Sequence, residues 1–511
     1  MPAPLSPLTL EVVVLILGIF LLLAESFSRS ENKDWMARFS IFILSVVFIW
    51  SFFTTGNEGV DLTHAFYSAD DLALFFKRLS LLTTIVVLVM SLEYRGILTK
   101  YLPSMTPGAG LGEFYSLPVF TCVGLMFMAS AVDFLLIFVS LELVTISFYI
   151  LVAYMRRQGA SLEAGVKYLI LGALSTGFLV YGITWIFGVT GETNLLRITE
   201  ILPSMLKLGG RLHGSESGLL FGLMLILVGL GFKVAAAPFQ FWVPDVYQGA
   251  PTPITAFLSV GSKAAGFIVL MRVLIPFLGD PNIGGKLISV LVILALLSLV
   301  YGNLAALPQD NLKRLLAYSS IGHAGYLLVA VASVGVGTAE LGLSVTAISF
   351  YLAGYLLMTL LTFLVMIVVA NHSRGDDIMH FNGLGKRSPF LAFSLLIAML
   401  SLAGMPFTVG FIGKLLVFAA AVKQKQFMLV GIGAMTVAAG FYYYLRVVAA
   451  MYWKEPNDET QIVISPLAKL TIAGLTFGIV FFGIFPQPIL NMLPSKEPSA
   501  QTALTALTLQ P

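Results

Sequence analysis

The sequence predicts an all-α polytopic membrane protein of about fourteen transmembrane helices. Composition is the first reason: of 511 residues, 58% are apolar and 11% are charged, where soluble globular domains carry about 25% charged residues. Mean hydropathy, at +0.94, is the second. The third is that the apolar residues fall into runs of about twenty, the length that crosses a bilayer core as a helix. Barrel strands would be about ten residues of alternating polarity, and these runs do not alternate. No soluble core absorbs so much apolar sequence. The net charge of +3 is scattered rather than clustered, so nucleic-acid binding is excluded.

The runs are justified in order. The first, 8–25, has no basic residue between Met1 and Thr9 and no small-residue cleavage site after it. It is therefore expected to be a retained span rather than a secretion signal. Pro2, Pro4 and Pro7 keep the residues before it non-helical. Runs at 35–55 and 71–92 follow. Lys77 and Arg78 stand a turn or two inside the latter, where long side chains can snorkel to the interface. The fourth run, 114–130, holds Cys122, the single cysteine, which alone forms no internal disulfide and ligates no iron–sulfur cluster. Run 132–155 has Glu142 near its middle, with Asp133 close to its end; Glu93 stands near another span end. Run 163–189 has Lys167 near its start, and run 218–243 has Lys233 deep inside with Pro238 five residues on. Run 252–277 places Lys263 about half-way, 286–306 follows, and 313–334 places His323 mid-way. Runs 340–370, 389–421, 427–453 and 465–487 complete the set, with Pro406 and Lys414 inside the twelfth.

Other chemistry is absent from the pattern. The five histidines, His64, His213, His323, His372 and His380, make no metal-binding spacing. Gly108-Ala109-Gly110-Leu111-Gly112 has no strand before it and reads as a connection rather than a phosphate cradle. Any redox cofactor would sit on another chain. With the N-terminus outside, the inner loops hold thirteen Lys and Arg, among them Arg29, Arg157, Lys313, Arg314 and Arg374. The outer loops and tail hold seven, Arg197, Lys207, Arg211, Lys286, Lys423, Lys425 and Lys496. The positive-inside rule then places both termini outside.

The residues that single out a function are ionisable groups at bilayer depth. Each costs about 2.5–3.5 kcal/mol on insertion scales, so each calls for a partner or a use. Glu142, Lys233, Lys263, His323 and Lys414 are the five deep ones, with Lys167 a weaker sixth. Burial disfavours the charged form of a lysine and an adjacent carboxylate favours it, a balance in which protons load and unload near neutral pH. One ion pair pinning helices explains one such site, but several lysines and a histidine cannot all be neutralised by a single central carboxylate. Pro238 and Pro406, 168 residues apart, each free the carbonyl four positions back, Val234 and Leu402. In a bilayer such freed carbonyls need protein, water or a polar side chain. Interrupted helices in corresponding positions of two halves mark the transport site of repeat-built transporters, and each break here lies beside a buried lysine.

The string from Gly231 through Lys233 and Pro238 to Pro244-Asp245-Val246-Tyr247-Gln248-Gly249-Ala250-Pro251 closely resembles subunit N (subunit 2) of respiratory complex I. Further matches are Ser161-Leu162-Glu163-Ala164 with Lys167-Tyr168, Ser262-Lys263, Asn311 to His323, Leu402 to Pro406 with Gly410 to Lys414, and Tyr442 to Arg446. Gln240 departs from the pattern, standing where many relatives carry histidine. The resemblance implies an antiporter-like fold with two inverted five-helix repeats and discontinuous seventh and twelfth helices. It implies three N-terminal helices over 1–110, repeats over 111–280 and 281–455, and a last helix and tail over 456–511. Glu142 becomes the carboxylate that pairs with and tunes Lys233. Lys233 becomes the first carrier, Lys263 and His323 the mid-membrane link, and Lys414 the exit carrier.

The resemblance further implies a proton-translocating membrane-arm subunit of NADH-quinone oxidoreductase, in a cell (inner) membrane or a thylakoid membrane. NAD, FMN, iron–sulfur clusters and quinone belong to partner subunits. Its neighbours would be other membrane-arm subunits, sister antiporter-like chains included, and the lipid bilayer. A subunit of a multisubunit cation/proton antiporter is the alternative; a non-pumping scaffold is a third.

Overall fold

The computed structural model describes residues 8–27, 32–54, 66–102, 110–208, 215–335, 341–373, 375–456 and 461–493. Pro2, Pro4, Pro7, Arg29, His64, Gly108, Ala109, Arg211, His213, Arg374 and Lys496 lie outside them.

Three helices open the chain: α1 Leu8–Phe27, α2 Asp34–Trp50 and α3 Asp71–Tyr101. Next come α4 Leu111–Ser130, α5 Phe134–Val152, α6 Gly159–Thr190, α7 Leu195–Leu208 and α8 Ser215–Val234. The short α9 Val243–Gly249 and α10 Thr252–Phe257 lead through a π turn, Leu258–Ser262, into α11 Lys263–Leu278. The second half holds α12 Pro281–Ala306, α13 Leu312–Ala332, α14 Leu341–Ala370, α15 Leu384–Arg387, α16 Pro389–Ala403 and α17 Val409–Lys423. It closes with α18 Phe427–Trp453, α19 Pro466–Ile484 and α20 Gln487–Leu490. Starts are fixed where a side chain caps the free amides. Asp70, Asp133, Asp280, Asn311 and Ser465 each accept from a backbone N–H one to three residues into their helix. Asp133 is thus a helix cap at the start of α5.

Among the described residues twelve continuous helices are long and apolar enough to cross a membrane, not fourteen. Two predicted spans fall short for identifiable reasons. The second is a helix of 17 residues, and the twelfth is split into α16 and α17 of 15 residues each. One helix escaped the hydropathy reading: α7, whose apolar residues recur at helical spacing on one side only, so no uninterrupted run announces it.

Burial sorts the helices. The apolar windows of Thr252–Leu278 and Gly342–Ala370 are wholly enclosed by protein, and α13 nearly so. In contrast, α1, α6, α18 and α19 turn most of their surface outward, with Ile16, Ile170, Met435 and Leu470 among the exposed apolar side chains. In water this would be an aggregation surface; against lipid tails it is the expected exterior. Packing at the centre depends on small residues. A side chain at Gly302 of α12 would run into the backbone of Gly322 on α13, and one at Gly325 into Leu299, the close approach typical of membrane helix pairs.

Both broken helices end alike. After α8, Ala235 turns left-handed with φ 63°. The amide of Ala236 then reaches back to the Gly231 carbonyl at 2.9 Å. After α16, Gly404 turns left-handed with φ 95°, and the Met405 amide reaches the Leu400 carbonyl at 2.9 Å. Each is a Schellman stop, in which the amide two beyond the helix closes on the carbonyl five residues back.

Candidate functional site

The sequence-predicted residues lie on six elements, and four of them, Lys233, Lys263, His323 and Lys414, are buried in the bundle. Lys233 closes the last turn of α8 and is buried. Its ammonium donates to the Thr145 hydroxyl at 2.7 Å and lies 5.7 Å from the Phe232 ring centroid. Thr145 in turn donates to the Leu141 carbonyl at 2.6 Å, so its oxygen is oriented as an acceptor for the amine. Glu142 sits one turn earlier on α5 and is half-buried. Its Oε1 accepts from Thr176 of α6 at 2.9 Å. A direct Glu142–Lys233 ion pair is therefore not formed here; two threonines hold the charges apart.

The freed carbonyls of the two breaks are satisfied differently. At the first, the Trp242 indole donates to the Phe232 carbonyl at 3.0 Å rather than to that of Val234, which Pro238 was expected to free, and the Ala237 amide donates to the Ser298 hydroxyl at 2.8 Å. At the second, Lys414 does the work itself. Its ammonium donates to the carbonyls of Leu402 at 3.0 Å and Ala403 at 2.7 Å, capping the C-terminal end of α16, where the helix dipole favours a cation. Leu402 is the acceptor that Pro406 was expected to free. Gly404 packs against this lysine: a Cβ there would lie 2.9 Å from its Cδ. The ammonium lies 5.2 Å from the Tyr326 ring centroid.

Between the breaks, Lys263 follows directly on the π turn. Its ammonium donates to both the carbonyl and hydroxyl oxygens of Ser320, each at 2.5 Å, and lies 5.3 Å from the Tyr355 ring centroid. Single π turns recur at functional sites because they re-aim side chains. Three residues after Ser320 on α13, His323 Nδ1 pairs with the Tyr351 hydroxyl at 2.6 Å and Nε2 with that of Tyr444 at 3.1 Å. Tyr444 also meets Ser319, and Tyr247 meets Ser320 at 3.2 Å. The face Ser319, Ser320 and His323 thus joins Lys263 on one side to the tyrosines of α14 and α18 on the other. Direct hydrogen bonds do not link Lys233 to Lys263, or Lys414 to His323, among the described residues.

Lys167 stands apart. It is 41% exposed and pairs with Glu163 at 2.7 Å and Asp245 at 2.6 Å. Arg314 joins Asp245 at 3.0 Å, so this group is a cross-tie among α6, α9 and α13 at one rim. Lys77 differs from expectation. Instead of snorkelling it is completely buried, paired with Glu11 of α1 at 2.8 Å and donating to the Tyr67 hydroxyl at 2.6 Å. The reason is that α1 and the 66–70 segment cover the start of α3 and supply an anion there. Sequence reasoning also missed Thr145, Thr176, Tyr351 and Tyr444, because hydroxyls are common in apolar spans and only a partner distinguishes one from another.

Two broken helices and buried amines in an enclosed bundle define an antiporter-type membrane subunit. Residues 131–440 match the transmembrane family described as NADH:quinone oxidoreductase/Mrp antiporter, and the chain belongs to that family. It is 40% identical to NADH-quinone oxidoreductase subunit N of Trichlorobacter lovleyi, with 94% of each chain covered. A chain of respiratory complex I from Thermus thermophilus with bound aureothin superposes with a TM-score of 0.76 at 32% identity, covering 94% of this chain and 98% of that one. The Mrp complex from Dietzia sp. DQ12-45-1b shares the fold, with a TM-score of 0.75, 17% identity, and 94% and 95% covered.

Proposed function

We propose that this chain is the proton-translocating subunit N of a complex I-type NADH-quinone oxidoreductase. Protons pass along Glu142, Lys233, Lys263, His323 and Lys414. The observation that carries this reading is the coincidence of two helix breaks, each with a buried lysine at its edge, with the enclosed Lys263–Ser320–His323 stretch lying between them. The subunit N relatives, aligned over nearly the whole chain, favour it over a cation/proton antiporter subunit, for which the Mrp likeness supports the fold alone.

Glu142 is the switch that couples the relay to redox work elsewhere. It borders the outward strip of Leu135, Val139, Ile146 and Ile150 on α5, where a neighbouring membrane-arm subunit can act on it. Released from Thr176, its carboxylate pairs with Lys233 and holds the proton there; drawn back, it lets the proton go. Each pKa unit exchanged this way is worth about 1.4 kcal/mol, so a small displacement suffices. Ordered water bridges the steps that lack direct hydrogen bonds. NAD, FMN, iron–sulfur clusters and quinone reside on partner subunits, and both termini face the outer side of a cell membrane. The chain divides into an N-terminal bundle over 1–110, repeats over 111–280 and 281–455, and a closing segment over 456–511. Lys167 belongs to the rim where protons are taken up.

The test is proton pumping by the assembled complex in sealed vesicles. Glu142→Gln and Lys233→Met are expected to lower the pumped protons per electron while NADH oxidation continues, with the subunit's own share falling by at least about tenfold. Undiminished pumping in both variants would overturn the relay.

A further inference from the structure

A groove of about 160 Å³ opens on the outer surface where α2 ends and α3 begins, far along the sequence from the relay. Phe48, Phe75, Leu82, Leu357, Phe482 and Met492 line it, and its wall carries one charged side chain, Arg78. A helical side chain leans toward the N-terminus of its helix, so this guanidinium rises toward the end of the bundle where α3 starts. It is held in place: Nη2 donates to the Ser51 carbonyl at 2.8 Å, and the group lies 4.6 Å from the Phe52 ring centroid. Its Nε is buried without a hydrogen-bond partner. No carboxylate lies within ion-pairing distance of it among the described residues, unlike Lys77 beside it, which is satisfied by Glu11.

A fixed cation with a spare donor above a purely aliphatic and aromatic slot fits one kind of membrane component. We propose that the groove holds an anionic phospholipid, with its headgroup phosphate on Arg78 and one acyl chain between α2, α3, α14 and α19. A phosphate supplies the acceptor that Nε lacks, and a guanidinium–phosphate contact is charge-assisted and oriented. The acyl chain fills space that a polar ligand could not occupy without desolvation cost. The lipid would tie the N-terminal helices to α14 and α19 across a seam that protein side chains leave open.

The experiment uses the whole purified complex in vesicles. Photo-crosslinkable phosphatidylglycerol and phosphatidylcholine, each with the reactive group in the acyl chain, are compared at equal content. Labelling of peptides spanning Phe75–Leu82 and Ala353–Leu357 should favour phosphatidylglycerol by about tenfold. Arg78→Gln should remove that preference, while Arg78→Lys keeps part of it. Ala353→Phe, which fills the slot without touching the charge, should reduce labelling by both lipids. Equal labelling of the wild-type complex by the two lipids overturns the proposal. So does absence of labelling, which would mean that a neighbouring protein helix occupies the groove. Both readings come from the unaltered chain, so they hold even if a variant does not assemble.

Discussion

At the scale of single residues, the hydroxyls decide what the charges can do. Lys233 and Glu142 are one helical turn from meeting, yet each is engaged by a different threonine. Removing the acceptor from the amine leaves a buried cation without its hydrogen bond, a loss of about 1.5–3 kcal/mol for a charged group. Thr145→Val is therefore expected to slow pumping severalfold, and Thr145→Ser, which restores the oxygen, to recover it. Initial pumping rates in vesicles check this; a Val variant as fast as wild type would mean that the contact is incidental. Thr176→Val acts in the opposite sense, freeing Glu142 to pair with Lys233 and trapping the proton. Lys233 and Lys414 were legible in the sequence because each charge stood deep in an apolar run beside a proline. Thr145, Tyr351 and Tyr444 were not, since their role comes from partners on other helices. Lys77 was misread for the same reason: its depth allowed snorkelling, and its partner Glu11 lies on another helix.

Among the elements, the two breaks share a backbone motif and differ in chemistry. Proline marked both in the sequence, but which group satisfies the exposed carbonyls depended on three-dimensional neighbours: an indole at the first break and Lys414 at the second. Lys414 is consequently tied to the shape of the turn. Gly404 supplies that shape, with φ 95° and no side chain where Lys414 passes. An alanine there costs roughly 1–2 kcal/mol for the left-handed backbone alone, and its Cβ pushes the lysine off its two carbonyls. Gly404→Ala is thus expected to impair pumping in assembled complex nearly as much as Lys414→Met. Pumping measured alongside subunit content separates this from loss of assembly, and normal pumping would show that the carbonyl cap does not matter. The same logic accounts for the span count: hydropathy detects apolar length and cannot see a helix that stops and restarts within it, as α16 and α17 do.

For the molecule as a whole, the question is whether the buried groups act in series. The enclosed elements, α10 with its π turn and α11, α13 and α14, sit between the two breaks and carry Lys263, His323 and Tyr351. A linear relay would carry protons from Lys233 to Lys414 across the Ser320–His323 face, where Lys263 and His323 are buried. A single path fails completely at any one gap. Lys233→Met and Lys414→Met should each remove the same amount of pumping, and the double variant should remove no more than either alone, the non-additivity of groups that act as one unit. Two separate half-channels, one per break, predict instead that each single variant leaves part of the flux and that the losses add. The comparison needs only proton-to-electron ratios from three variants in one vesicle preparation. His323→Leu supplies the decisive arm, since it leaves both breaks intact: a linear relay predicts a loss as large as that of Lys233→Met, whereas independent half-channels predict almost none.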